Sequence, residues 1–369
     1  KSKPAPKYLT RFYLTLSLGG ALGGVLVNLI APNVFKRFHE LPLGLFCCAL
    51  LCVGLLIWSR KGRWNASQVG ILALGGLLLM ASCWYLVLDA RPDQPTSDHA
   101  VLHRSRNFYG ILSVQRYSGT SMGEIHVLLN GHIQHGIQQT DPSKRRTPTS
   151  YYGTGSGCQA AIEFAQQQSE HCHIGAIGLG VGTIAAYARE NDKIRFYEIN
   201  PQVIQVAKNT DWFHYLSDCK GQVDLVLGDA RLQLEKELTD GQSQQFDVLV
   251  LDAFSGDAIP THLLTDQSFS IYSKHLKPAG VLAIHITNTH LDLFPVAKQL
   301  AEKHGYTYRR IYRKGTDSLS TNYYALLCKA PKFAEQVADA IDDLPLFLTR
   351  PRSVPLWTDE YTNLTRLLR

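Results

Sequence analysis

The chain has 369 residues, 45% of them apolar and 18% charged, with a formal net charge of +6. Its length implies two or three folding units, and the charge belongs to one end: residues 1–90 carry nine Lys/Arg against two Asp/Glu, and residues 91–369 carry 28 against 29. The near-neutral larger part lacks a nucleic-acid footprint, and eight cysteines without a Cys-x-x-Cys pair exclude a zinc site or disulfide framework.

Three apolar runs come first. Residues 13–31 and 41–59 each give 19 positions without a charge, and 68–88 gives 21. Each is long enough to cross a bilayer as a helix, and a signal peptide would be one short run. The expected unit is residues 1–90, with helices near 8–31, 41–59 and 68–89 and a lipid bilayer as partner. Gly19, Gly20, Gly23 and Gly24 form two pairs at four-residue spacing, which lets membrane helices approach closely, within the chain or in a homo-oligomer. Lys1, Lys3, Lys7 and Arg11 place the N-terminus in the cytoplasm by the positive-inside rule. Three crossings would then export the rest of the chain. The chain starts at Lys1 rather than Met, and upstream helices, or one run that does not cross, would resolve that conflict. The expected location is a bacterial inner membrane with the larger domain cytoplasmic.

Residues 90–99 form a polar linker. Apolar and polar residues alternate around glycines through 107–140, which predicts a small antiparallel β domain over 100–150. Beyond 151, strands near 174–178, 194–199, 223–227, 247–252, 279–286, 306–312 and 322–328 alternate with helices near 158–168, 182–190, 201–208, 231–237, 267–276 and 293–304. That alternation predicts a Rossmann-like α/β domain over 151–369, with a seven-stranded, mostly parallel sheet. The short link 313–321 makes the last two strands an antiparallel pair. The tail after 353 is expected to close over the sheet edge.

The chemistry-bearing residues follow those strands. IGAIGLGVGTIAAYARENDKIRFYEINP puts Gly178, Gly180 and Gly182 after one strand and Glu198 at the end of the next. DLVLGDAR puts Asp229 and Ala230 after the third, and FDVLVLDAFSGDAIP puts Asp252 after the fourth. Ligands of open α/β sheets bind outside the carboxyl ends of the strands. Glycine lets backbone pass close to a ligand, and a strand-end acid can accept ribose hydroxyls. The set predicts a nucleoside site, and the absence of a Gly-x-x-x-x-Gly-Lys-Ser/Thr loop argues against a triphosphate. His126, His132, His135, His171 and His173 show no metal-ligand spacing, so no metal is expected. His285 and His290 flank the end of the fifth strand, within reach of the crevice.

With RNFYGIL, DAFSGDAIPTHLLT and LWTDEYTNL, residues 100–369 resemble the spermidine synthase (polyamine aminopropyltransferase) family. With RFYLTLSLGGALGG, the whole chain is similar to its membrane-embedded branch, the fused transporter–spermidine synthase proteins. The resemblance implies aminopropyl transfer from decarboxylated S-adenosylmethionine to putrescine or a related amine, releasing methylthioadenosine. It also implies roles. Gly178, Gly180 and Gly182 form the cofactor loop, Glu198 holds the ribose, and Asp229-Ala230 read the adenine. Asp252 accepts the proton of the attacking amine, a step that needs a nearby base. Tyr109 stands at a cofactor position where the family has Gln, and Tyr152, Asp257 and Gln134 are the expected substrate contacts. The chain departs from the family at Val181, where an Asp binds the aminopropyl amine, and in an extra residue between Asp252 and Asp257. Two alternatives therefore stay open. One is a methyltransferase or other enzyme using ordinary S-adenosylmethionine. The other is a membrane sensor or transport protein with a non-catalytic nucleoside domain.

Overall fold

The computed structural model describes residues 5–58, 66–89, 94–254, 259–316, 319–341, 344–345, 348 and 354–368, apart from the side chains of Gln68 and Asp89. The chain divides into two units: Lys1–Thr96 with Arg104–Ile111, and Ser97–His103 with Leu112–Arg369.

The first unit is helical. Helix α1 (Leu9–Val25) runs through a π-helical turn (Leu26–Ile30) into the short α2 (Ala31–Val34). Pro32 has no N–H to donate, and just before it the Ala31 N–H reaches back five residues to Leu26. Helices α3 (Glu40–Trp58) and α4 (Ala66–Asp89) follow. Three stretches, Pro6–Val34, Glu40–Trp58 and Val69–Leu88, are long and apolar enough to cross a membrane. Their leucines face outward on many sides, as at Leu14, Leu51 and Leu77; helices apolar all round are made for an apolar surrounding. Close approach falls on Gly75 of α4, where an added Cβ would lie 2.8 Å from Val53 Cγ2. Gly19, Gly20, Gly23 and Gly24 face open space.

A buried ion pair organises this unit's polar end. Arg106 on the hairpin tip donates to Glu40 at 2.5 and 3.0 Å and to the Arg37 carbonyl at 2.6 Å. Its guanidinium lies 4.4 Å from the Phe38 ring centroid. The two carboxylate bonds form the bidentate fork that arginine makes best.

The second unit holds two sheets. Strands β1 (His99–Asn107), β2 (Gly110–Thr120), β3 (Gly123–Asn130) and β4 (Ile133–Gln139) form a four-stranded sheet in sequence order, the tip of its first hairpin belonging to the first unit. Then come α5 (Gly157–Gln168), β5 (His173–Ile177), β6 (Lys193–Glu198), α6 (Pro201–Lys208), β7 (Gln222–Leu227), α7 (Ala230–Thr239) and β8 (Phe246–Leu251). They are followed by α8 (Asp266–His275), β9 (Leu276–His285), α9 (Phe294–His304), β10 (Thr307–Arg313), β11 (Asn322–Cys328) and α10 (Pro331–Gln336). The seven strands β5–β11 order as β10-β11-β9-β8-β5-β6-β7.

This sheet is mixed rather than wholly parallel. Neighbours from β7 to β9 pair in parallel, and β11 runs antiparallel to both β9 and β10. Strand β8 is buried at every residue, as a central strand covered on both faces must be. The order reverses direction beside β5, so the ends of β5 and β8 border the crevice of a doubly wound sheet. Side-chain caps start the helices: Asn200 for α6, Asp229 for α7 and the Thr265–Ser268 capping box for α8.

The expected helix at 182–190 is only a 3₁₀ turn, Thr183–Tyr187. Gly182 enters it in the left-handed region and Ala188 leaves it extended, so the glycine loop leaves room for barely one turn.

The tail closes on the second unit. Trp357 is buried and its carbonyl accepts from Asp266 N–H at 2.9 Å. Arg231 of α7 grips Asp359 with bonds of 2.7 and 2.5 Å, and Thr265 adds a third at 2.8 Å. The Arg231 hydrogen bonds hold the Asp359 carboxyl at about 2. A depressed carboxyl contributes stability above its unfolded value, and that contribution fades as pH falls through the folded value. Asp359→Asn is expected to speed proteolysis within the tail at neutral pH. The difference from wild type should shrink as pH falls from 3.8 toward about 2. A pH-independent difference would remove the clasp from the account.

Candidate active site

Strand β5 ends at Ile177, whose carbonyl accepts the Asp252 N–H at 2.9 Å. Gly178 follows at φ +99°, and a Cβ on it would lie 2.3 Å from the Asp252 carbonyl oxygen. Gly180, at φ +55°, passes equally close to the His135 carbonyl of β4, 2.5 Å from an added Cβ. Neither the conformation nor the space admits a side chain. The glycine loop is therefore held between the end of β8 and the small sheet.

A cavity of about 150 Å³ opens there. Gln134, His135, Tyr151, Tyr152, Gly180, Asp252, Phe254 and His285 line it, together with Ile133, Thr287 and Thr321. Asp252 is 8% exposed and provides its carboxylate. Tyr152 hydroxyl donates to Asp252 Oδ2. His285 Nδ1 lies 2.5 Å from Asp252 Oδ1. The imidazole is stacked between Tyr151, at 4.7 Å and 26°, and Tyr324, at 4.6 Å and 17°. Phe254 meets it edge-on at 5.1 Å. Burial, and then the Asp252 charge, push the Tyr151, Tyr152 and Tyr324 hydroxyls well above the ordinary tyrosine range. They stay neutral and act only as donors, acceptors and ring faces.

Ser150 opens the turn that presents both tyrosines (Ser150–Tyr152), and it does so at φ +57°. That backbone is costly for a residue with a side chain. Two contacts hold it: Gln134 Nε2 donates to Ser150 Oγ at 2.9 Å, and Ser320 Oγ lies 3.1 Å away.

The expected site residues separate into groups. Asp252, Tyr152, Gln134 and Gly180 meet around the cavity. Gly178, Gly182, Glu198, Asp229 and Ala230 stand at the neighbouring strand ends and do not line it. Glu198 accepts the Leu179 N–H at 3.0 Å and the Asn200 N–H at 2.8 Å. Burial raises its carboxyl in spite of those bonds. Asp229 caps α7 through Leu232 N–H at 3.1 Å, and its second oxygen lies 3.1 Å from His262 Nε2. Tyr109 belongs to the first unit, where it is exposed at the hairpin turn. Asp257 lies outside the described residues.

Two residues carry more than their sequence signal. His285 was one of two histidines flanking a strand end; the parallel register of β8 on β9, with Leu251 opposite Ile284, brings it beside Asp252, and the register of β11 on β9 sets Tyr324 opposite it. His290 instead donates its N–H to Asn288 Oδ1 at 2.8 Å. Val181 is 1% exposed and packs on Gly136, where an added Cβ would lie 2.4 Å from Val181 Cγ2. It is core, not cavity wall. Among the described residues no group of three or more His, Cys, Asp or Glu is placed to hold a metal.

No family model matches the chain. A polyamine aminopropyltransferase from Vibrio vulnificus is 29% identical over 139 residues, 37% of this chain. The match spans only 42% of that relative's length. The chain resembles the polyamine aminopropyltransferases. Among solved structures, a spermidine synthase from Thermotoga maritima is 13% identical with a TM-score of 0.45, over 74% of this chain and 93% of that one. A probable spermidine synthase from Corynebacterium glutamicum is 16% identical with a TM-score of 0.46, over 64% and 80%. A spermidine synthase in complex with the transition-state analogue AdoDATO is 13% identical with a TM-score of 0.43, over 74% and 93%.

Val181→Asp tests whether that position faces a ligand. A carboxylate placed among Val181's core neighbours is unpaired, which costs about 3–5 kcal/mol. The expected result is a large drop in Tm of the detergent-purified chain. An unchanged Tm together with tighter binding of an aminopropyl donor would place position 181 in the site instead.

Proposed function

We propose that this chain is a membrane-bound aminopropyltransferase-like enzyme, moving an aminopropyl group from decarboxylated S-adenosylmethionine to putrescine or a related amine. The observation that carries the reading is the buried Asp252 carboxylate, set beside a glycine loop at a strand switch point and walled by tyrosines. An ammonium fits those walls twice over, through charge on Asp252 and through the ring faces of Tyr151 and Tyr152. A cavity of about 150 Å³ suits a small amine better than a whole nucleoside.

The co-substrate's nucleoside would lie along the ends of β5, β6 and β7. Glu198 accepts backbone hydrogen bonds from Leu179, Ile199 and Asn200, and a carboxylate offers about four acceptor positions. It can hold the loop and still accept a ribose hydroxyl. Asp229 and Ala230 would read the adenine edge.

The reaction is a displacement at carbon. The acceptor ammonium must first lose a proton, because its lone pair is otherwise engaged. The freed amine attacks the carbon next to the sulfonium, the carbon–sulfur bond breaks toward sulfur, and methylthioadenosine leaves as a neutral thioether. The leaving group needs no protonation, so the protein's work is positioning and deprotonation. Asp252 holds the ammonium, and the charge it places there eases formation of a cationic partner for the departing proton. Gln134 and Tyr152 orient the acceptor.

The three apolar helices support a bilayer anchor with the second unit in the cytoplasm, where the co-substrate is. The open glycine face of α1 suits a helix of a second copy. Val181 favours one other reading: without a loop carboxylate to meet the donor's amine, ordinary S-adenosylmethionine becomes the donor of a methyltransferase.

Mass spectrometry of the detergent-purified chain, incubated with putrescine and either donor, separates the readings. Spermidine and methylthioadenosine from the decarboxylated donor are the expected products. S-adenosylhomocysteine from the ordinary donor would replace the proposal with methyl transfer. Asp252→Asn is expected to cost about 10²–10⁴-fold in turnover while methylthioadenosine binding is kept. Undiminished turnover in that variant would sink the assignment.

A further inference from the structure

Asp252 already serves two partners within the protein. Each of its oxygens already has a partner, Tyr152 hydroxyl at Oδ2 and His285 Nδ1 at Oδ1. An ionised carboxylate accepts at both, so Nδ1 carries the hydrogen and Nε2 keeps a bare lone pair. His285 Nε2 is buried and has no hydrogen-bond partner among the described residues, on a ring that lines the cavity. A buried polar atom left without a partner costs free energy and calls for a reason.

We propose that His285 Nε2 is the base that takes the acceptor's proton, with Asp252 as the carboxylate that orients the imidazole and stabilises the imidazolium. The inference rests on the aminopropyl reading for the identity of the acceptor. The step balances. An N–H bond of the acceptor ammonium breaks and its proton goes to Nε2, leaving the nitrogen lone pair free to attack. His285 becomes a cation held at 2.5 Å from Asp252. The parallel rings of Tyr151 and Tyr324 fix the imidazole plane, and their faces favour a cation between them.

The groups facing His285 are Asp252, Tyr151, Tyr324 and Phe254, with Tyr152 and His135 elsewhere on the wall. Among the described residues, no Lys or Arg lines the cavity. His135 also has a buried Nε2 without a partner among the described residues. Its distinction is that no carboxylate hydrogen-bonds to it among the described residues, so nothing orients its ring or offsets a positive charge by direct contact. Burial lowers its pKa from the ordinary histidine value.

The test has two parts on the full chain in detergent. Nitrogen NMR of histidine-labelled protein, with His285→Asn identifying the signal, reads the tautomer without any turnover. The Nδ1–H form is expected, and the Nε2–H form overturns the proposal. The second part is kcat/KM for the acceptor against pH. His285→Asn, which keeps a donor for Asp252, is expected to lose about 10²–10⁴-fold in kcat, to leave the donor KM unchanged, and to lose the acid limb of the profile. His135→Asn is expected to keep that limb. An acid limb unchanged in His285→Asn returns the base to Asp252 and overturns the proposal. Wild-type protein that transfers nothing from either donor overturns the aminopropyl reading, and the tautomer then decides the base by itself.

Discussion

The Asp252 carboxylate is the constraint around which the second unit is arranged. Its backbone is tied to β5 through Ile177, and its carbonyl occupies the space that any side chain at position 178 would need. Its carboxylate is the meeting point of the turn carrying Tyr152 and the strand carrying His285. A buried carboxylate is expensive unless its lone pairs are used. The strained backbone at Ser150 and the stacked rings around His285 can be understood as what it takes to keep that charge dry and partnered.

Two consequences follow from how tightly this corner is packed. The glycine loop is caught between Asp252 and the small sheet, so its glycines serve the fold as well as any ligand. Val181 fills the space left by Gly136 and belongs to the core. A carboxylate introduced there would be buried among apolar neighbours.

The first unit follows different physics. Its helices are apolar on many sides and offer little polar structure except at one end, where Arg106 and Glu40 pair with 4% and 10% of their side-chain surfaces exposed. The guanidinium also takes the Arg37 carbonyl, so a single side chain orders the turn ahead of α3. A pair so buried is weak evidence of net stability, but removing either partner would strand a charge.

Much of the fold was legible in the chain because it is written in local pattern. Runs of 19 or more apolar residues can only be long apolar helices. The alternation of strand and helix after residue 173, and the short link that makes β10 and β11 antiparallel, follow from periodicity and loop length. The glycines and strand-end acids were visible for the same reason, since an open α/β sheet gathers its strand ends on one side. The pairing of β11 with β9 was not visible, because strand order is a matter of long-range contact. It is that pairing that sets Tyr324 opposite His285. The helix expected at 182–190 shrank to a single 3₁₀ turn because Gly182 enters it in the left-handed region and the chain is already extended at Ala188. Sequence alone therefore determined most of the elements, the apolar helices and the carboxylate at the end of β8. Only tertiary structure decided that Asp252 is shared between Tyr152 and His285 and that Val181 is core, because both depend on which residues distant in the chain compete for the same few ångströms.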